Sequence, residues 1–309
     1  GFLAGNGVKQ ADAVGVALDR AYLTAKYQFD DVWSMRLTTD ATVDTALSKQ
    51  TNVYIKYAYL RGKLSDAFAV DAGVIETPWI GYENKLNTHR YVYKSFTDFE
   101  KFDDSADAGL GVFGKLGDGL FQYALAGVNG GGYSKIAKTA AIDFNSRLGF
   151  YPIEGLTFDL QFRDGYKGTK KWDVATLANT PGTKYRLMQG MVTYGIGNNF
   201  RIAANYISQN ADDKTTGLTT KSTGYDAWGY YNFNSDFGVF GQYDYLKDKK
   251  DATLAEVKVN RLTAGLEYTP RKNVRFSLVA KTWKIKNATF NQGAEIKNAT
   301  YGLYSEVKF

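Results

Sequence analysis

Residues 298–309 read NATYGLYSEVKF, and the alternation in this stretch decides the fold. Tyr301, Leu303, Val307 and Phe309 fall on one side of an extended chain, and Thr300, Gly302, Glu306 and Lys308 on the other, with Tyr304 and Ser305 interrupting the count. That is a strand with one apolar face. The same period recurs upstream. Leu23, Ala25, Tyr27 and Phe29 oppose Tyr22, Thr24, Lys26 and Gln28; the chain turns at Asp30-Asp31, and Trp33, Met35 and Leu37 then oppose Ser34, Arg36, Thr38 and Asp40. In the next strand Val53, Ile55, Tyr57 and Tyr59 are expected on the apolar face, with Tyr54, Lys56 and Ala58 behind them. Further tight turns are predicted at Gly117-Asp118-Gly119, Pro152–Gly155, Gly197-Asn198-Asn199, Asn234-Ser235-Asp236 and Pro270–Asn273. They alternate with polar or Gly-rich connections such as Asn129–Thr139, Asp164–Lys184 and Asn210–Thr223.

Composition narrows the class. Hydrophobic residues make up 44% and mean hydropathy is -0.35, with no run of 18 apolar residues to form a membrane helix. A membrane barrel stays open, because each strand turns only every second residue to lipid. Tyr 23 and Phe 19 against Pro 4 suit a sheet with aromatic girdles. No linker-like shift divides the 309 residues, so 1–309 is read as one all-β domain, a transmembrane antiparallel β-barrel with short turns at the periplasmic end and long loops outside. Fifteen strands follow Val16, and the first runs toward the short-turn end, where Phe309 also finishes. Closure with both ends on one side needs an even count, so a sixteenth is assigned to Gly1–Asn6, short or beginning upstream. No blade-like repeat points to a propeller.

The chain has no cysteine, hence no disulfide framework or thiolate metal site. A net charge of +6 without a basic block offers nothing to nucleic acid. Its one histidine, His89, is expected to be a loop residue facing water, with no triad around it. No catalytic residue, cofactor or metal site is predicted, and Asp30-Asp31, Asp103-Asp104 and Asp212-Asp213 are read as turn chemistry.

The longest connection, Glu76–Asp104, becomes the third long loop and carries Glu83, Lys85, Arg90 and Lys94 beside Trp79, Tyr82, Tyr91, Tyr93 and Phe96. So aromatic a loop is expected to be anchored rather than free in solvent, whether across the lumen as a constriction or over the rim or a neighbouring subunit. With apolar faces outward, Lys26, Arg36, Lys56, Lys115, Arg147, Arg163, Arg201, Arg261, Arg275 and Lys281 point inward, against Asp40, Asp71, Asp107, Asp143, Asp159, Asp226, Asp244 and Glu267. Arg36, Lys56, Arg147, Arg163 and Arg201 are expected to orient solutes across the constriction. The function implied is passive diffusion of small hydrophilic solutes and ions with a weak anion preference. Two other classes remain: a sleeve around a partner such as an electron-transfer cytochrome, and a surface adhesin barrel.

An alternating strand that ends in Phe309 resembles the closing strand of bacterial outer-membrane barrels. Asp19-Arg20-Ala21-Tyr22-Leu23, Lys56-Tyr57-Ala58-Tyr59-Leu60, Thr77-Pro78-Trp79 and Ser105-Ala106-Asp107 resemble the phosphate-selective porin family over the first third of the chain. The resemblance implies a homotrimer of sixteen-stranded barrels in a Gram-negative outer membrane, in contact with membrane lipid and lipopolysaccharide. It also implies an in-folded third loop and an arginine ladder that guides anions or phosphate.

Overall fold

Period-two alternation runs through the described part of the computed structural model, residues 16, 18–43, 51–173, 175, 177–250, 256–287 and 295–308. The strands are β1 (Ala21–Gln28), β2 (Trp33–Val43), β3 (Thr51–Lys63), β4 (Ala69–Glu76), β5 (Ala106–Leu116), β6 (Phe121–Val128), β7 (Asp143–Ile153) and β8 (Leu156–Gly165). They continue as β9 (Trp172–Asp173), β10 (Ala178–Asn179), β11 (Thr183–Ile196), β12 (Phe200–Asp213), β13 (Thr219–Asn232), β14 (Phe237–Lys250), β15 (Glu256–Arg271), β16 (Val274–Asn287) and β17 (Glu295–Val307). All but β9 and β10, which form their own two-residue ladder, make a 15-stranded antiparallel sheet in which each strand pairs with the next. The fifteen strands expected after Val16 are all present. The strand expected over Gly1–Asn6 lies outside the described residues, as does Phe309, and β1 and β17 are the edges of the described sheet.

Turn chemistry fixes the register. Asp30 Oδ1 accepts the N–H groups of Val32 at 2.8 Å and Trp33 at 2.7 Å, and Asn234 Oδ1 accepts those of Asp236 at 2.8 Å and Phe237 at 2.9 Å. Such Asx turns hold hairpin loops without strain. Asp213 Oδ1 does the same for Thr215 at 2.8 Å, and here the expected loop over Asn210–Thr223 shrinks, because β12 and β13 continue through it and leave only 214–218 between them.

One face of the sheet is apolar and bare. Leu110, Leu148, Leu160, Leu266 and Leu278 are exposed on it. Its short-turn end carries stacked rings, Phe121 with Phe150 at 5.2 Å and Phe237 with Tyr268 at 5.0 Å; its long-loop end carries Tyr225 with Tyr245 at 4.9 Å. Phe237 and Tyr245 are eight residues apart on β14. At about 3.4 Å per residue and a tilt of 35–45° they are separated by about 19–22 Å along the barrel axis, close to the ~25 Å apolar band of membrane barrels.

The other face is the inside. Between β4 and β5 the chain folds back onto it through helices α1 (Ile80–Asn87) and α2 (Phe96–Phe99), neither long enough to cross a membrane. Side chains of this loop bond to β7 and β8 through Asp103, to β11 through Thr97, to β12 and β13 through Glu83, and to β15 and β16 through Tyr91. A loop that touches so many strands of one sheet is wrapped by that sheet. Asp103 thus departs from its expected turn role: it is 1% exposed and accepts from Asn145 at 2.7 Å and Gln161 at 2.8 Å.

Tyr57 and Tyr59 also depart from expectation. A bulge where Thr38 pairs with Tyr57 but Thr39 pairs with Ile55 lets Lys56 and Tyr57 both turn inward. Tyr57 and Tyr59 then pack with Ile75, Ala126 and Val128 inside the barrel.

Candidate pore constriction

The loop is seated by apolar contacts that no alternation rule anticipates, because the wall beneath it is apolar too. Trp79 and Ile80 pack with Met191, Ala203 and Trp228; Phe96 and Phe102 pack with Leu187, Ile207 and Leu246; Val92 packs with Tyr230, Phe240 and Val279. These wall residues project inward, so β11–β14 carry apolar side chains on both faces over this stretch. Phe96 lies directly over Gly224, where a Cβ would meet its ring at 2.6 Å. Only glycine admits that approach.

Glu83 is the polar pin of this contact. It is fully buried; Trp79 Nε1 donates to Oε2 at 3.0 Å, and Asn205 Nδ2 and Trp228 Nε1 donate to Oε1 at 3.2 and 3.3 Å. Burial pushes its carboxyl up to about 7, the three donors hold it down, and Asp244 pushes it further up. The unfolded carboxyl titrates near 4.3, so between there and about 7 the seated loop holds a proton that the released loop does not. Seating is strongest in acid and weakens as pH rises through about 7. The urea midpoint of the tryptophan emission change is expected to be higher at pH 5.5 than at pH 8, and Glu83→Gln is expected to flatten that difference. An unchanged pH dependence in Glu83→Gln would assign it to other groups.

His89 does not face water, as the sequence suggested. It is 2% exposed, its ring stacks on Phe240 at 4.3 Å and lies parallel to Tyr93 at 6.4 Å, and Nδ1 is 2.9 Å from the Asn87 carbonyl oxygen. The reason is the aromatic seat: an imidazole between rings displaces no water-exposed charge when neutral. Burial lowers its proton affinity to about 4, against the pull of Glu267.

The inward charges divide into two populations. Against the loop they are paired: Arg147 with Asp159 at 2.6 Å, Arg163 with Asp143 at 2.9 Å and Asp103 at 3.3 Å, Arg275 with Glu306 at 2.5 Å and Glu267 at 3.4 Å. Arg261 binds Asp244 at 3.0 Å and also Glu100 of the loop. Arg147 and Arg163 are 6% and 2% exposed, so they lock wall to loop and do not present their charge to a solute. Lys281 Nζ donates to the Val92 carbonyl at 2.7 Å and to Tyr304 at 2.8 Å.

The second population gathers where the loop faces β1–β3. Asp40 accepts from Tyr133 at 2.8 Å and lies 3.6 Å from Arg20 and 4.0 Å from Lys56; Lys56 also donates to Tyr22 at 3.1 Å. From the loop, Arg90 pairs with Asp98 at 2.7 Å, with Lys101 at 3.8 Å from the same carboxylate. Lys94 stands among them without an ion pair to any of the described residues; burial lowers its proton affinity to about 8, Asp98 resists, and Lys101, Arg20 and Arg90 add to the lowering. Arg20, Lys56, Arg90, Lys94 and Lys101 against Asp40 and Asp98 leave three positive charges over.

The remaining predicted residues stand apart. Arg36 pairs with Glu76 at 2.5 Å, and Lys85, 73% exposed, reaches Glu76 at 3.4 Å. Lys26 and Lys115 are exposed near the short turns; Arg201 reaches Thr193 at 3.5 Å. Asp107 is buried and accepts the Ala108 N–H at 2.7 Å. Arg20 and Tyr133 are not among the inward residues expected from alternation; Tyr133 lies in a Gly-rich connection, where only its ring marks it for packing. No metal-binding group of His, Cys, Asp or Glu occurs among the described residues.

Neither a protein-family model nor a curated protein matches the sequence. Solved structures do match the fold. OmpT of Vibrio cholerae, an outer membrane protein, in its loop L8 deletion form, superposes with a TM-score of 0.66 at 14% identity over 93% of this chain and 89% of that one. The outer membrane channel DcaP of Acinetobacter baumannii gives 0.63 at 13% identity over 94% and 84%, and an anion-selective porin from Comamonas acidovorans gives 0.62 at 10% over 94% and 89%. Over nearly its whole length, then, the chain has the fold of outer-membrane β-barrels.

Proposed function

We propose that the protein is an outer-membrane diffusion channel for small hydrophilic solutes, weakly selective for anions. The observation that carries this reading is the loop itself: it crosses the interior, is bonded to the far wall, and leaves its uncompensated positive charge on the side toward β1–β3. Fixed charge beside a narrow aqueous path raises the local concentration of counter-ions. That the Comamonas acidovorans neighbour is an anion-selective porin supports the same sign. A barrel whose interior already holds its own loop weighs against a sleeve for another protein.

The test is the reversal potential of the reconstituted protein in a potassium chloride gradient. Anion preference is expected, and it should decline from pH 7 to pH 9, because Lys94 is charged below about 8 and neutral above it. A unit charge ~8 Å from an ion in water is worth ~0.5 kcal/mol, favouring anions and opposing cations alike, and salt screens it by about half, so Arg90→Gln with Lys94→Gln should lower the anion-to-cation ratio roughly fivefold. Clear cation preference in the unaltered protein would refute the proposal.

A further inference from the structure

The outer face carries a feature that diffusion does not use. On β14–β17, at the long-loop end, Lys247, Lys258, Lys284, Lys286 and Lys297 all occupy outward positions, on the same faces as Tyr245, Asn260, Thr282 and Tyr301. Lys258 stands directly opposite Lys247 on one side and Lys286 on the other, and Lys284 stands opposite Lys297. Like charges directly across neighbouring strands repel. Glu256 bridges Lys247 at 2.8 Å and Lys258 at 2.7 Å, and Glu295 lies 3.4 Å from Lys297. With Lys249, which faces outward opposite Glu256, six lysines against two glutamates leave a surplus of four positive charges.

The height of this patch is set by the tyrosines below it. Tyr225, Tyr243 and Tyr245 cluster on the same face, with Tyr225–Tyr243 at 6.3 Å and Tyr225–Tyr245 at 4.9 Å. Such rings mark the edge of the hydrocarbon. Lys247 follows Tyr245 by two residues, about 7 Å further along the strand, which is headgroup level. The patch is one-sided: outward positions toward the same end of β2, β3, β5 and β7 are Ala41, Ile55, Ala108 and Phe144.

We propose that this lysine face binds the phosphates of lipid A, the anchor of lipopolysaccharide. The inference rests on the outer-membrane reading, which places the long-loop end in the leaflet that contains this lipid. A phosphorylated disaccharide at headgroup level supplies the anions that the lysine rows lack, while its acyl chains cover Leu262, Leu266 and Leu278 below. A second copy presenting the same face would add like charge instead.

The experiment uses the full chain refolded in mild detergent, with native mass spectrometry of retained lipid. The unaltered protein is expected to retain bisphosphorylated lipid A roughly tenfold better than the same lipid with both phosphates removed. The set Lys247→Gln, Lys258→Gln, Lys284→Gln and Lys286→Gln should hold both lipids equally weakly, and the matched Lys→Arg set should restore the preference. Equal retention of the two lipids by the unaltered protein would overturn the proposal, as would full retention by the Gln set or displacement by millimolar inorganic phosphate. Single-channel conductance and heat-modifiable migration of the Gln set, expected unchanged, show that the barrel is intact. Absence of any channel in the unaltered protein would instead strike the diffusion reading.

Discussion

Deletion of Glu83–Lys101 is expected to raise single-channel conductance roughly two- to fivefold while the barrel still forms, since pore conductance follows the open cross-section. The segment removes the end of α1, all of α2 and the aromatic residues that lie across the interior. The wall does not depend on them for backbone pairing, because every neighbouring pair of the 15-stranded sheet is joined by its own ladder. What the deletion exposes is the seat: Leu187, Ile207, Leu246, Phe240 and Val279 would face water in the lumen, so the variant should also unfold at lower urea concentration. The anion preference should fall as well, because Arg90, Lys94 and Lys101 leave with the segment. Unchanged conductance would mean that the loop does not set the narrowest point, and the diffusion reading would lose its main support.

The strand register was legible because the tight turns are marked chemically. Gly117-Asp118-Gly119 and Asn234-Ser235-Asp236 stop the alternation within a residue or two of where the strands end. At the opposite end the strands reach further: β12 runs on to Asp213, inside the expected Asn210–Thr223 connection, and β14 and β16 extend to Lys250 and Asn287. There the outward positions change from Tyr245 to Lys247 and from Thr282 to Lys284 and Lys286, so a strand that has left the hydrocarbon loses the polarity contrast on which the period is recognised.

That the loop packs against something was legible from the concentration of rings in Glu76–Asp104, while its place inside followed from the porin resemblance. Which charges it would neutralise was not. Alternation gives the face of Arg147 or Arg163 but not the neighbour brought from sixty residues away, and pairing with Asp103 depends on where the loop lands. The bulge at Thr38/Thr39 is invisible for the same reason: it is a property of two strands together.

Arg163→Met is expected to cost about 3–5 kcal/mol of stability, because it strands two buried carboxylates at once. Arg163 Nη2 lies 2.9 Å from Asp143, and Nη1 lies 3.3 Å from Asp103 and donates to the Phe102 carbonyl oxygen at 3.1 Å. Asp143 in turn accepts the N–H groups of Tyr166 at 2.6 Å and Lys167 at 2.8 Å, so one guanidinium ties β7, β8, the constriction loop and the connection after β8 together. A lysine would supply one point charge in place of the planar fork, and Arg163→Lys should recover only part of the loss. The urea midpoint in detergent reads the effect. If unpaired charge is the cause, Asp103→Asn with Asp143→Asn should restore much of the stability of Arg163→Met, since without a buried negative charge the amide oxygen at position 103 can still accept from Gln161 and Asn145, and the one at position 143 from one of the Tyr166 and Lys167 N–H groups. A loss below about 1 kcal/mol for Arg163→Met, or no recovery in the triple variant, would show that the loop is held by its apolar seat alone.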